Sequence, residues 1–175
     1  MSKRLSVDPI AEAKRQWTDR GWGDAANGMT TVTSIIRGQQ LMLARVEGVL
    51  RPFGLSFARF ELLRLLAFSR EGHLPLASGI ARLQVHPTSV SNTVERLRLD
   101  GLVLREQHPE DGRAAMLRLT DAGREVVDSA TLALNEVFVD LGMPEEDEIA
   151  LVSILARYRK GAGDFADPTI PPTPL

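Results

Sequence analysis

The chain has 175 residues, 43% of them hydrophobic, with 21 basic and 23 acidic side chains and a formal net charge of −2. That length suits one ordinary domain with a real core, while no apolar run nears the roughly 20 residues that cross a membrane and no apolar signal segment follows Met1-Ser2-Lys3-Arg4, so a cytoplasmic protein is expected. Cysteine is absent, which excludes disulfides, thiolate metal sites, a nucleophilic thiol and thiol redox sensing; the three histidines, His73, His86 and His108, lack the short spacings of metal sites, and no cofactor is expected.

In chain order, Ile10, Ala13, Trp17 and Trp22 suggest a short helix within residues 1–28 that docks on the body, the tryptophans serving first as packing anchors. From Met29 to Leu50, apolar residues recur at steps of three and four, which predicts a helix stopped by Gly54. Ser56 caps a second predicted helix that runs to about Ser69, with Phe60, Leu63 and Ala67 on one face, until Gly72 and Pro75 break it. A short third helix is expected from Leu76 to about Leu83, followed by the turn Gln84-Val85-His86.

Pro87 has its φ already set and lacks a donor that would go unpaired anyway, so it reads as the first residue of a fourth helix ending near Asp100 and Gly101. Val90, Val94 and Leu97 fall on its inner face, leaving Thr88, Ser89, Ser91, Asn92, Glu95 and Arg96 largely outward. Two strand-like runs, Leu102 to Gln107 and Ala114 to Leu119, enclose a turn-rich His108-Pro109-Glu110-Asp111-Gly112-Arg113, the pattern of a hairpin with an exposed tip. Thr120 caps a fifth helix with a long apolar stripe from Val126 to Leu141, closed by Gly142. The acids Glu145 to Glu148 and the bases Arg157, Arg159 and Lys160 suit the two ends of a sixth helix stopped by Gly161. Beyond it, Pro168, Pro171, Pro172 and Pro174 mark residues 163–175 as a disordered tail.

The predicted fold is therefore mainly α with a small β-hairpin wing: a winged helix-turn-helix carried on longer helices. Its second helix can enter a major groove, where short hydroxyls, an amide and an arginine reach phosphates and base edges. The same residues could equally be the polar side of an amphipathic helix. Charge gives little help, since seven arginines face six acids between Arg82 and Arg124; a positive footprint has to come from placement. The chain carries no GxGxxG, no Walker loop and no GxSxG, so an enzyme is not expected.

Pro87-Thr88-Ser89-Val90-Ser91, Arg96-Leu97, Gly101-Leu102-Val103, Pro109-Glu110-Asp111-Gly112-Arg113 and Leu119-Thr120-Asp121-Ala122-Gly123 together resemble the MarR (multiple antibiotic resistance regulator) family of transcription factors, from about Met29 to Lys160. The resemblance implies that Thr88, Ser89, Ser91, Asn92 and Arg96 belong to the DNA-recognition helix and that Asp111 orients the wing arginine Arg113 toward DNA. Two departures stand out: Gly112 takes the place of an arginine often found there, and His86 that of a small capping residue.

By the same resemblance, residues 29–54 and 121–162 form a helical dimerisation region and 55–120 the DNA-binding region. The function implied is a ligand-responsive repressor that binds a pseudo-palindromic double-stranded DNA operator as a homodimer. The competing reading is a winged-helix module that binds protein without specific DNA binding. The family's ligand cleft implies a small aromatic or amphipathic anionic effector, for which Trp17, Trp22, Arg37 and Phe60 are the candidate pocket residues.

Overall fold

The computed structural model describes residues 5–69, 72–77, 83, 87–107 and 115–165. The chain divides into two compact units, Met1–Gly48 and Val49–Leu175.

In the first unit, α1 (Pro9–Asp19) starts on Asp8, whose carboxylate accepts the Ile10 N–H at 2.9 Å, with Pro9 in the first turn. Glu12, Arg15 and Asp19 form an ion-paired ladder along its surface, Arg15 lying 2.6 Å from Glu12 and 2.5 Å from Asp19. Gly21, at a φ of 80°, turns the chain into α2 (Gly23–Leu50). That helix starts six residues before the expected Met29. Its early turns contain Gly28 and the poor helix formers Thr30, Thr31 and Thr33. Each threonine hydroxyl donates to a carbonyl four residues back, at 2.7, 2.9 and 2.8 Å respectively, so it does not compete with the helix for backbone groups outside it.

The second unit opens with the end of α2 and a single tight helical turn, Arg51–Phe53, closed by Gly54 at a φ of 68°. Then follow α3 (Phe57–Phe68), β1 (His73–Pro75), α4 (Pro87–Leu99), β2 (Val103–Gln107), β3 (Ala115–Leu119), α5 (Asp121–Val139) and α6 (Glu145–Gly161). The three strands form one antiparallel sheet in the order β1-β3-β2, with Val103 opposite Leu119, Arg105 opposite Leu117 and Leu74 opposite Leu117. Leu62, Leu63 and Leu66 of α3, Val90 and Leu97 of α4, Val103, Leu117, and Val127 and Leu134 of α5 are buried together as one core. Each such side chain contributes about 1.5–3 kcal/mol of burial free energy.

Beside the earlier start of α2, the described elements differ from the sequence expectations at β1 and at the end of α6. The strand β1 was not anticipated; Gly72 and Pro75 only marked a break there, yet Leu74 is buried and the segment pairs with β3. Of the expected third helix, Leu76 and Ala77 are helical and Leu83 is buried; residues 78–82, and the turn at Gln84-Val85-His86, lie outside the described residues. Gly161 is the last residue of α6 and not its stop, the positive φ of 76° falling at Gly163. The tail from residue 166 onward also lies outside the described residues. Among the described residues, no helix is long and apolar enough to cross a membrane.

Candidate nucleic-acid interface

The orientation of α4 is set by its buried stripe. Val90, Val94 and Leu97 pack into the core, and this rotation leaves Ser91, Asn92, Glu95, Arg96 and Arg98 exposed. Thr88 and Ser89 lie in the first turn of the same helix. Asp111, Gly112 and Arg113, like His86, lie outside the described residues.

The far end of α4 is fixed by the backbone. Gly101, at a φ of 71°, donates its N–H to the Arg98 carbonyl at 3.0 Å, and Leu102 donates to Leu97 at 2.9 Å while burying its own side chain. This closes the helix with a Schellman motif and feeds the chain directly into β2. The same corner holds the start of α5. The Thr120 hydroxyl donates to the Gly101 carbonyl at 2.8 Å and accepts the Gly123 N–H at 2.9 Å, while the Thr120 N–H bonds the Leu102 carbonyl at 3.2 Å. A Cβ on Gly123 would stand 2.1 Å from the Leu102 carbonyl oxygen. The run Leu119-Thr120-Asp121-Ala122-Gly123 thus has a mechanical meaning. Threonine caps α5 and grips the end of α4, and glycine lets the two backbones touch.

Charge on this surface is unevenly available. Arg98 makes two hydrogen bonds to Glu95, at 2.8 and 2.9 Å, and these hold the Glu95 carboxyl below its usual range. Arg118 is similarly occupied by Glu106, 2.7 Å away across the β2–β3 pair. Arg96 and Arg105 are exposed and form no ion pair among the described residues. Sequence reasoning singled out Arg96 but not Arg105, whose only signal was an arginine inside a strand-like run. Such a helix face can offer an amide to an adenine edge, a guanidinium to guanine or phosphate, and hydroxyls to either.

Of the four candidate pocket residues, Trp17, Trp22 and Arg37 belong to the first unit and Phe60 to the second. Trp17 and Trp22 meet edge to face, ring centres 5.4 Å apart, with Trp22 52% exposed. Arg37 sits on the same continuous α2, 14 residues beyond Gly23, which places it about 21 Å further along the helix axis; its guanidinium donates to Gln40 at 3.2 Å. Phe60 belongs to the second unit, where it is buried and stacked on Phe57. The sequence grouped these residues by chemistry; within the first unit, the length of α2 sets Arg37 apart from Trp22.

No family model matches the sequence. Among solved structures, the chain is similar to Sco5413, a MarR family transcriptional regulator from Streptomyces coelicolor, with 44% identity, a TM-score of 0.71, and coverage of 79% of this chain and 97% of that one. It is also similar to Sco3205 from the same organism, a MarR family regulator solved in complex with DNA, at 26% identity and a TM-score of 0.65 over 75% of this chain and 85% of that one. Among curated proteins, it is 30% identical over 134 residues to the HTH-type transcriptional regulator YdgJ of Bacillus subtilis, spanning 71% of this chain and 80% of YdgJ. With a corner that locks recognition helix, wing strand and α5 together, and with relatives matched over most of their own lengths, the chain belongs to the MarR family: it is a winged-helix, DNA-binding transcriptional regulator and not an enzyme.

Proposed function

We propose that this regulator binds a pseudo-palindromic operator as a homodimer and represses by occupying it, with α4 of each copy in successive major grooves. The observation that carries this reading is the rotation of α4. Its buried valines and leucine leave Ser91, Asn92 and Arg96 outward, with Thr88 and Ser89 in the leading turn, where a recognition helix contacts bases. The family resemblance adds Arg113, with Asp111 as its positioning partner, as the proposed wing contact to the minor groove.

Dimerisation is supported by helices that are apolar yet uncovered in a single chain. Val32, Ile35, Ile36, Leu41 and Met42 of α2 are exposed, as are Ile149, Val152, Ile154 and Tyr158 of α6. These faces support the reading of residues 29–54 and 121–162 as the dimerisation region. The Trp17–Trp22 pair, with Trp22 exposed, offers a surface on which an aromatic anionic effector can stack. Such a ligand lowers DNA affinity only if it prefers a spacing of the two recognition helices that the operator does not fit.

The test is mobility shift with genomic fragments of the source organism. A discrete complex is expected on a small subset of fragments, with affinity falling steeply between 50 and 200 mM salt, on the order of a thousandfold, as phosphate contacts release counterions. Equal retardation of every fragment would contradict operator-specific repression.

A further inference from the structure

We infer that Arg59 is a positioning residue for DNA reading, acting through Asp100 at the end of the recognition helix. This rests on α4 being the base-reading element.

Arg59 stands in the first turn of α3, and its side chain is only 14% exposed. One end of its guanidinium donates to the Gly54 carbonyl at 2.7 Å, and the other forms an ion pair with Asp100, 41 residues away in sequence. A single side chain thus joins the turn before α3, α3 itself and the C-terminus of α4. Asp100 occupies the C-cap of α4, its N–H bonded to the Arg96 carbonyl and Gly101 beginning the exit. A carboxylate is poorly placed there, because the helix dipole already puts negative potential at that end. Arg59 is the cation that offsets it.

Fold stability alone does not account for the arginine. Its Nε is buried without a hydrogen-bond partner among the described residues, and an ion pair whose carboxylate is 53% exposed adds little net stability. What the pair does provide is a single permitted position for the end of α4. The outward residues Asn92 and Arg96 lie one to two turns before Asp100, so a tilt of that end moves them against a fixed groove. Base hydrogen bonds tolerate little such movement, whereas contacts to the phosphate backbone tolerate more.

The experiment starts with the intact wild-type protein and a random-sequence duplex pool, from which a preferred duplex is selected. Fluorescence anisotropy then measures Arg59→Met, Asp100→Asn, the double variant and Asp100→Glu on that duplex and on a scrambled one, alongside thermal unfolding. Positioning predicts a loss of about tenfold or more on the selected duplex for Asp100→Asn, with the scrambled duplex changed by less than about twofold. The double variant should be no worse than the poorer single variant, and Asp100→Glu should recover most of the loss.

Asp100→Asn is the sharpest arm. Removing a negative charge near DNA would by electrostatics alone tighten both complexes. Asp100 itself is 53% exposed, so the arm stands even if Arg59→Met does not fold. Wild-type affinity on the selected duplex, equal losses on both duplexes, or additive losses in the double variant would overturn the inference. A wild-type protein that selects no sequence would overturn the reading of α4 itself, and the positioning role with it.

Discussion

The helices α3 and α6 lie in the same unit and have opposite fates. α3 buries Phe60, Leu62, Leu63 and Leu66 and sends two arginines across to other elements, Arg59 to Asp100 and Arg64 to Asp128 and Thr131. α6 buries nothing, although Ile149, Val152, Ile154 and Tyr158 run along it. The winged-helix body therefore completes its core within one chain, whereas α6 has apolar area that one chain does not cover. A monomer would carry the first region without penalty and the second only as an exposed patch of the kind that marks an interface.

That contrast can be broken at its strongest point by Gly123→Ala. The added methyl meets a backbone carbonyl and not a movable side chain, so α5 has to separate from the start of β2, at an expected cost of about 3 kcal/mol in urea unfolding. A variant as stable as wild type would show that the corner is loose.

The uncovered region is probed by Val152→Glu, at a side chain 68% exposed in the single chain. The monomer's own unfolding should be unchanged, while light scattering should show a monomer. Operator affinity should fall by about a hundredfold as the second half-site contact is lost. A dimer that persists with wild-type affinity would remove α6 from the interface.

The mildest effect is expected at Glu61 on α3, whose carboxyl is pushed above its ordinary 4.5 by burial. Its folded value lies above its unfolded one, so its contribution is most favourable below pH 4.5 and is lost as pH rises through the folded value. Glu61→Gln should therefore raise stability at neutral pH and lose that advantage in acid, as read from denaturant midpoints at the two pH values.

Most of the fold was legible because its helix ends carry local chemistry. Ser56 and Thr120 cap α3 and α5 through their hydroxyls, and Pro87 and Gly101 bracket α4. What escaped has physical reasons. A three-residue strand containing proline, His73–Pro75, is too short to show an alternating period, and it exists because β3 is there to pair with it. The start of α2 was hidden because its first six residues hold Gly23, Asp24, Asn27 and Gly28, poor helix formers, and no large apolar residue to show a helical period.

For the site, the outward face of α4 followed from three apolar residues. The neutralisation of Arg98 by Glu95 was open to the i, i+3 rule and went unread. The Arg59–Asp100 tie joins residues 41 apart, which no local rule reaches. The effector grouping drew on chemistry without position. Chemistry alone placed Arg37 beside the tryptophans, and only the continuity of α2 shows the distance between them.

The central claim, that the outward face of α4 reads bases, is tested most directly by comparing the motifs that wild type and Arg96→Ala select from a random duplex pool. Wild type should yield a twofold-symmetric motif with half-sites about one helical turn, roughly 34–36 Å, apart. Arg96→Ala should lose preference at one position in each half-site, by about 1–3 kcal/mol, while keeping the symmetry and spacing. Identical motifs from the two proteins would contradict the account, because the sequence would then be read by something other than this helix.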